Sequence, residues 1–324
     1  MTERIPDHHA QPDTPDTPPT PTTPADAGHA PSGTGNERQS IGGDAALFET
    51  KLHAHSPEVS ARKVRKHGAW YVTEYYLRAI VRYGDVVLAD AIGSPLMYVL
   101  AMGVGLGSLL MGNGTLFDDV SYITFIAPAL LVSGAVQGAV TEATFPVMDG
   151  FKWHRLYQGP VVTPITPQQI ARGQMLAIAI RLFTQSLIFL GVVSLFGAVH
   201  SWWSLLAVLV AALAGLALGL PIMAYSATIR EERGQFSVIM RFIFMPLFMF
   251  SGTFYPLTNL PIFLQWIGWI FPIWHGTEVS RLLMYGHGVE TWLVVVHVLV
   301  LVAFAMVGYL FTIRNFTSRL KGEK

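Results

Sequence analysis

Phe242–Tyr285, FIFMPLFMFSGTFYPLTNLPIFLQWIGWIFPIWHGTEVSRLLMY, decides how this chain folds. It opens as an apolar helix long enough to cross much of a bilayer. At Ser251–Gly252 and Tyr255–Pro256 the helix pattern breaks. Gly frees the backbone, and Pro removes a donor and pushes the residue before it out of the α region. The chain nevertheless stays apolar through Leu260, Ile262, Phe263, Leu264, Trp266, Ile267, Trp269 and Ile270, in pieces bounded by Pro256, Pro261 and Pro272. Each piece is too short for a hydrocarbon core about 30 Å thick, and the Trp and Tyr content suits the headgroup level. Residues 255–285 therefore predict a re-entrant helical hairpin entering one face of a membrane.

The surrounding composition agrees. Hydrophobic residues make up 52% of the 324 residues and charged residues 13%, with a mean hydropathy of +0.43. A soluble domain carries about 25% charge, so the chain reads as an all-α integral membrane protein. It has no Cys, which excludes disulfides, thiolate catalysis and Cys-ligated metals.

Hydropathy predicts six crossings, near Val86–Leu110, Val120–Thr141, Ala171–Phe196, Trp202–Ala227, Phe236–Phe254 and Trp292–Thr312. Residues 85–324 form this six-helix domain. With the N-terminus inside, one face carries Arg62–Arg82, then Lys152, Arg155 and Arg172, then Arg230, Arg233 and Arg241, then Arg314, Arg319, Lys321 and Lys324; the other carries Arg281 alone. That asymmetry places both termini in the cytoplasm. Residues 1–60 hold nine of the twenty prolines and few large apolar residues, so they read as a disordered tail that lacks a signal-peptide core. Residues 61–84 mix Arg62, Lys63, Arg65 and Lys66 with Trp70, Tyr71, Tyr75 and Leu77, which predicts an amphipathic helix lying in the cytoplasmic lipid interface. Gly103 and Gly107, and Ala211, Gly215 and Gly219, recur at four-residue spacing, as close helix packing requires.

Catalytic signatures are missing from the sequence. There is no G-x-x-x-x-G-K-[ST] phosphate loop, so the chain does not itself hydrolyse nucleotide, and no H-E-x-x-H or G-x-S-x-G. His200, His275, His287 and His297 are scattered, and His8, His9, His53 and His55 sit in the tail; the simplest reading is single satisfied or solvated histidines. Arg181 lies mid-way along the third crossing, with Gln174 and Gln185 on the same helical face. An intramembrane Arg faces the bundle interior or a wet cavity and pairs with an acid, here Asp90 or Glu142. It serves either as a polar lining for a cargo headgroup or as an internal ion pair. The loop 142–169 is longer than a turn needs. Its centre, FKWHRLYQ, predicts a stubby helix carrying Phe151, Lys152, Trp153, Arg155, Leu156 and Tyr157, residue types enriched at protein interfaces. Lipid contact is its alternative use.

Taken together, the SGTFYPLTNLP run followed by LQWIGWIFPIWHGTEVSRLLMYG, and DGFKWHRLYQGPVVTPITP with its Thr163–Pro164–Ile165–Thr166–Pro167 step, resemble the permease subunits of ABC-2 type exporters over roughly residues 65 to 320. The words LFDDVSYITFIAPALLVSGA and DGFKWHRLYQGPVVTPITP are most similar to the lipooligosaccharide and nodulation-factor branch, then to the daunorubicin-type drug branch. The resemblance implies an interfacial helix before the first crossing, and a coupling helix in loop 142–169 that docks on an ATPase. It also implies two ATPase chains carrying ATP and Mg, and a second permease chain, identical or a sister. Cofactors on this chain and nucleic-acid partners are not implied. The expected setting is the bacterial plasma membrane, with export of an amphiphilic cargo such as a lipooligosaccharide, glycolipid or hydrophobic drug. Pro256, Trp266, Pro272, Glu278 and Arg281 mark the external hairpin, with Glu278 and Arg281 three apart on one helical face. Two other classes remain: an intramembrane enzyme acting on a lipid-linked group, which needs acids or histidines converging at one depth, and an ATP-independent secondary transporter, which needs broken helices at matching positions in both halves.

Overall fold

A computed structural model describes residues 57–82, 84–112 and 119–322. The chain divides into Met1–Ala54 and His55–Lys324, and only the second unit is described below. Most of the tail expected over residues 1–60 lies outside the described residues. Those described are helical apart from turns and short loops, with no paired β-sheet among them.

The helices are α1 (Pro57–Arg82), α2 (Gly84–Tyr98), α3 (Gly107–Gly112), α4 (Tyr122–Ala143), α5 (Phe145–Phe151), α6 (Gln158–Val161), α7 (Pro167–Leu195), α8 (Ser204–Ser226), α9 (Gln235–Val238), α10 (Met245–Phe250), α11 (Ile262–Ile270), α12 (Pro272–Tyr285) and α13 (Thr291–Lys321). A π-helical stretch, Val99–Leu106, joins α2 to α3, and another, Ile239–Phe244, joins α9 to α10. The starts follow local chemistry. Ser121 accepts the Thr124 N–H at the head of α4. Thr166 and Gln169 form a capping box at the head of α7, with Pro167 at the first helical position. The left-handed Gly286 (φ +78°) and Gly322 (φ +73°) terminate α12 and α13.

Among the described residues, five runs are long and apolar enough to cross a membrane: Val87–Leu109, Tyr122–Phe151, Pro167–Leu195, Ser204–Ser226 and Thr291–Lys321. The sixth expected crossing, Phe236–Phe254, is a shorter apolar run, Gln235–Phe250. Its 16 residues rise about 24 Å, less than the hydrocarbon thickness. The bend at Gly252 (φ +72°) stops it there.

The small-residue stripes are packing surfaces within the bundle. A Cβ on Gly215 would lie 2.9 Å from the Ala135 carbonyl oxygen, and one on Gly219 2.8 Å from Ala139 Cβ, so α4 and α8 meet nearly backbone to backbone. Between α8 and α13, a Cβ on Gly308 would lie 2.4 Å from Pro221 Cδ and 2.6 Å from its nitrogen. Below it, Thr312 donates to the Leu220 carbonyl (3.0 Å) and Asn315 to that of Ala224 (2.9 Å). Neither Pro221 atom can rotate away, so Gly308→Leu is expected to destabilise by about 1–3 kcal/mol through overpacking. Gly191→Ala, where a Cβ meets nothing within 4 Å, is expected to be neutral or stabilising. Unfolding midpoints of the purified variants check the contrast.

Helix α1 packs lengthwise along the first turns of α7. Gln169 Nε2 donates to the Arg65 carbonyl (2.7 Å) and Thr73 Oγ1 to that of Gly173 (2.9 Å). Gly68, Val72 and Thr73 are buried, whereas Trp70, Tyr71, Tyr75 and Val81 are exposed. The tertiary contact thus occupies one side of the helix that the sequence places in the lipid interface.

After the bend at Ser251–Gly252 the chain forms two helices, α11 and α12, hinged at Phe271. A Cβ on Gly276 would meet Ala214 Cβ at 2.9 Å and Val132 Cγ1 at 3.0 Å. Both neighbours lie ten residues into their helices, α8 and α4, or about 15 Å from the ends. The start of α12 therefore reaches mid-bundle, and its far end returns to the α7–α8 loop, where the His200 N–H donates to the Met284 carbonyl (3.2 Å).

Candidate functional site

Three regions carry the residues singled out by the sequence. The first is a polar cleft between α4 and α7. Arg181 Nη1 donates to Glu142 Oε1, an ion pair joining the two helices, with both side chains largely enclosed. A cavity of about 300 Å³ opens beside it, lined by Ser133, Gln137 and Thr141 of α4, Arg181 and Gln185 of α7, and the rings of Tyr98 and Phe248. Two apolar cavities of about 410 and 420 Å³ also reach Arg181, one against Leu77, Ile80 and Leu88, the other against Tyr76, Val87 and Pro146. Arg181 therefore sits where a polar space and two apolar spaces converge. Glu142, one of the two acids weighed as its partner, is in contact with it. Asp90 lies on α2, and its side chain is outside the described ones. Gln174 lines the second of these apolar cavities together with Arg181, and its Oε1 accepts from the buried Tyr157 hydroxyl.

The second region is the loop after α4. The short helix expected over FKWHRLYQ does not form. Helix α5 ends at Phe151, a turn follows with Arg155 left-handed (φ +50°), and α6 begins at Gln158. Lys152, Trp153 and Arg155 are exposed, and His154 Nδ1 lies 2.6 Å from Asp149 Oδ1. Phe151 and Tyr157 are corrected: both are buried, 7% and 1% exposed, so neither is available to a partner, and Leu156 is half-buried. Their rings pack on each other with centroids 4.5 Å apart and against Phe316 of α13 at 4.8 and 5.2 Å. Amphipathic spacing cannot distinguish an aromatic that faces a partner from one that faces the bundle.

The third is the hairpin. Arg281 is 2% exposed. Its Nη1 donates to Glu278 Oε1 (2.9 Å), its Nη2 donates to the Gly252 carbonyl (2.7 Å), and its guanidinium lies 4.0 Å from the Phe125 ring centroid. Glu278 also faces His287 Nε2 at 3.5 Å. The pair seen as i, i+3 in the sequence is thus a buried tie between α12, the bend and α4. Pro272 is buried at the head of α12, Pro256 is half-buried, and Trp266 is exposed with its edge against Trp269. The histidines are not all solitary: His275 Nδ1 and His297 Nδ1 lie 2.7 Å apart, and His275 Nε2 lies 2.9 Å from the Trp269 carbonyl. A carbonyl only accepts, so the neutral pair has His275 protonated at Nε2 and His297 donating from Nδ1. A 22-residue separation gave no signal for that contact. Among the described residues no three His, Asp or Glu side chains gather to hold a metal ion.

A multi-pass helical bundle with an ion-paired cleft between two helices and an exposed aromatic-basic turn is the architecture of an integral membrane protein. The ABC-2 type transporter family matches residues 79–285. The chain belongs to that family, as the membrane subunit. Curated relatives include Nodulation protein J of Rhizobium leguminosarum bv. viciae, 26% identical over 247 residues (75% of this chain, 92% of the relative). That of Rhizobium meliloti (strain 1021) is 28% identical over 221 residues (67% and 82%), and that of Neorhizobium galegae 26% identical over 216 residues (65% and 80%).

Proposed function

We propose that the chain is the permease of an ATP-driven exporter. Two ATPase subunits, holding ATP and Mg, bind the turn Lys152–Arg155 of this chain and of a second permease, and the cargo is an amphiphile of the nodulation-factor or lipooligosaccharide kind. The observation that carries the reading is the turn itself: Trp153 stands 54% exposed beside Lys152 and Arg155, while Phe151 before the turn and Tyr157 after it are buried in the bundle. An exposed Trp with Arg has the composition of an interface anchor. The orientation follows from the charge asymmetry: both termini and this turn are cytoplasmic, and the α11–α12 hairpin is a re-entrant element of the outer face, supported by its mid-bundle reach. The cleft at Arg181 offers amide, hydroxyl and charge to a polar headgroup and apolar space to a chain. No observation favours the intramembrane enzyme, since the histidine pair belongs to α12 and α13 and the ion pair to α4 and α7.

The test is capture of ABC ATPase subunits by tagged permease from its native membrane. The wild type is expected to retain them. Trp153→Ala with Arg155→Ala is expected to retain tenfold less or worse, because two interface anchors are worth about 2 kcal/mol each and 1.4 kcal/mol is a factor of ten. If the wild type captures no ATPase, the reading fails.

A further inference from the structure

Phe151 and Tyr157, which cannot dock anything, sit at the base of the exposed turn. The Tyr157 N–H donates to the Gly150 carbonyl (3.3 Å), closing Gly150–Tyr157 into a loop whose tip is Lys152–Arg155. Closure needs glycine, because a Cβ at Gly150 would lie 2.5 Å from the Tyr157 ring. From this base three ties leave. Tyr157 O–H donates to Gln174 on α7, and Tyr76 on α1 borders the same cavity as Tyr157. Burial pushes the Tyr157 phenol above its ordinary range, so it keeps the proton it donates. Phe151 and Tyr157 pack on Phe316 of α13. The Arg319 guanidinium lies 4.1 Å from the Phe151 ring centroid, and its Nη1 donates to the Ala227 and Ile229 carbonyls, each at 2.8 Å, in the loop after α8.

We infer that Phe151, Tyr157, Phe316 and Arg319 form a buried joint that makes the exposed turn move as one body with α1, α7, α13 and the loop after α8. Tyr157 and Arg319 are then positioning residues for transmission of the ATPase stroke, and they contribute nothing to docking. The physical ground is that the Tyr157–Gln174 bond is buried, the Arg319 bonds are half-buried beneath the Phe151 ring, and the ties attach to different elements, so displacing the tip without the helices breaks hydrogen bonds and ring packing together. Helix α7 carries Arg181, so the joint leads from the ATPase-facing turn to the cleft. This inference rests on the exporter reading for its direction, but the mechanical joint does not.

The experiment uses full-length permease as wild type, Tyr157→Phe and Arg319→Met, in sealed proteoliposomes for export of a fluorescent lipooligosaccharide and in lipid nanodiscs for hydrogen exchange, with and without its ATPase. With ATPase, both variants are expected to retain capture and ATP turnover within twofold while export falls at least tenfold. Unchanged export, or capture lost together with export, overturns the transmission role. Without ATPase, amide hydrogen exchange is expected to rise at least tenfold in the variants over Lys152–Val162 and Ile229–Gly234, with α4 and α8 unchanged. No rise, or a rise throughout the bundle, overturns the joint itself. A wild type that captures no ATPase defeats the exporter reading, and the exchange arm alone then decides the joint.

Discussion

An Arg281→Met variant is expected to lose about 3–5 kcal/mol of stability, the cost of breaking a buried ion pair by removing one partner. Methionine approximates the length and fills the space, so packing is not the main loss. What is lost is the charge that compensates Glu278, the donor to the Gly252 carbonyl and the cation over Phe125. That carbonyl belongs to the bend that ends α10, so the effect is expected to centre on the hairpin, with α12 released from α4. Arg281→Lys is expected to recover only part, because a single ammonium cannot reproduce a planar fork that binds two acceptors and stacks on a ring. Denaturant titration in mild detergent gives the ranking wild type, then Lys, then Met. A Met variant equal to wild type would show that the tie contributes nothing.

Arg181→Met is the second large effect, and it separates two uses of the cleft. Alone, it leaves Glu142 enclosed without its cation, again a loss of about 3–5 kcal/mol, felt where α4 meets α7. Adding Glu142→Gln removes the stranded charge, and the double variant is expected to regain most of that stability, with a coupling energy of the sign a contacting pair gives. Export then distinguishes the roles. If the pair only fixes helix packing, the stabilised double variant exports normally. If the charge and its surroundings receive a headgroup, export stays at least tenfold low although the fold has recovered. Measuring unfolding and export on the same preparations keeps the two apart.

The sequence already held the class. Long apolar runs without compensating charge have no stable home except a bilayer, and the Arg and Lys distribution between them predicts which ends lie inside. The loop 142–169 and the break at Ser251–Pro256 were also legible, because Gly, Pro and capping residues act locally. Glu278 and Arg281 were legible as neighbours, three apart on a helix, though not as a buried tie to Gly252.

Tertiary structure alone decided the rest. Phe151 and Tyr157 have the composition of docking residues, yet they face Phe316, 165 and 159 positions further along, a packing choice made by α13. Glu142 meets Arg181 because α4 and α7 run side by side at that level. His275 finds His297 because α12 folds back on α13. Helix α1 gives one side to α7 rather than to lipid. Periodicity states that a residue has a face and a chemistry. Which element that face meets depends on how helices far apart in the chain pack, so residue type, charge balance and breakpoints established a multi-pass membrane protein, its motifs carried the resemblance to a permease, and only the packed bundle separated buried from exposed at each site.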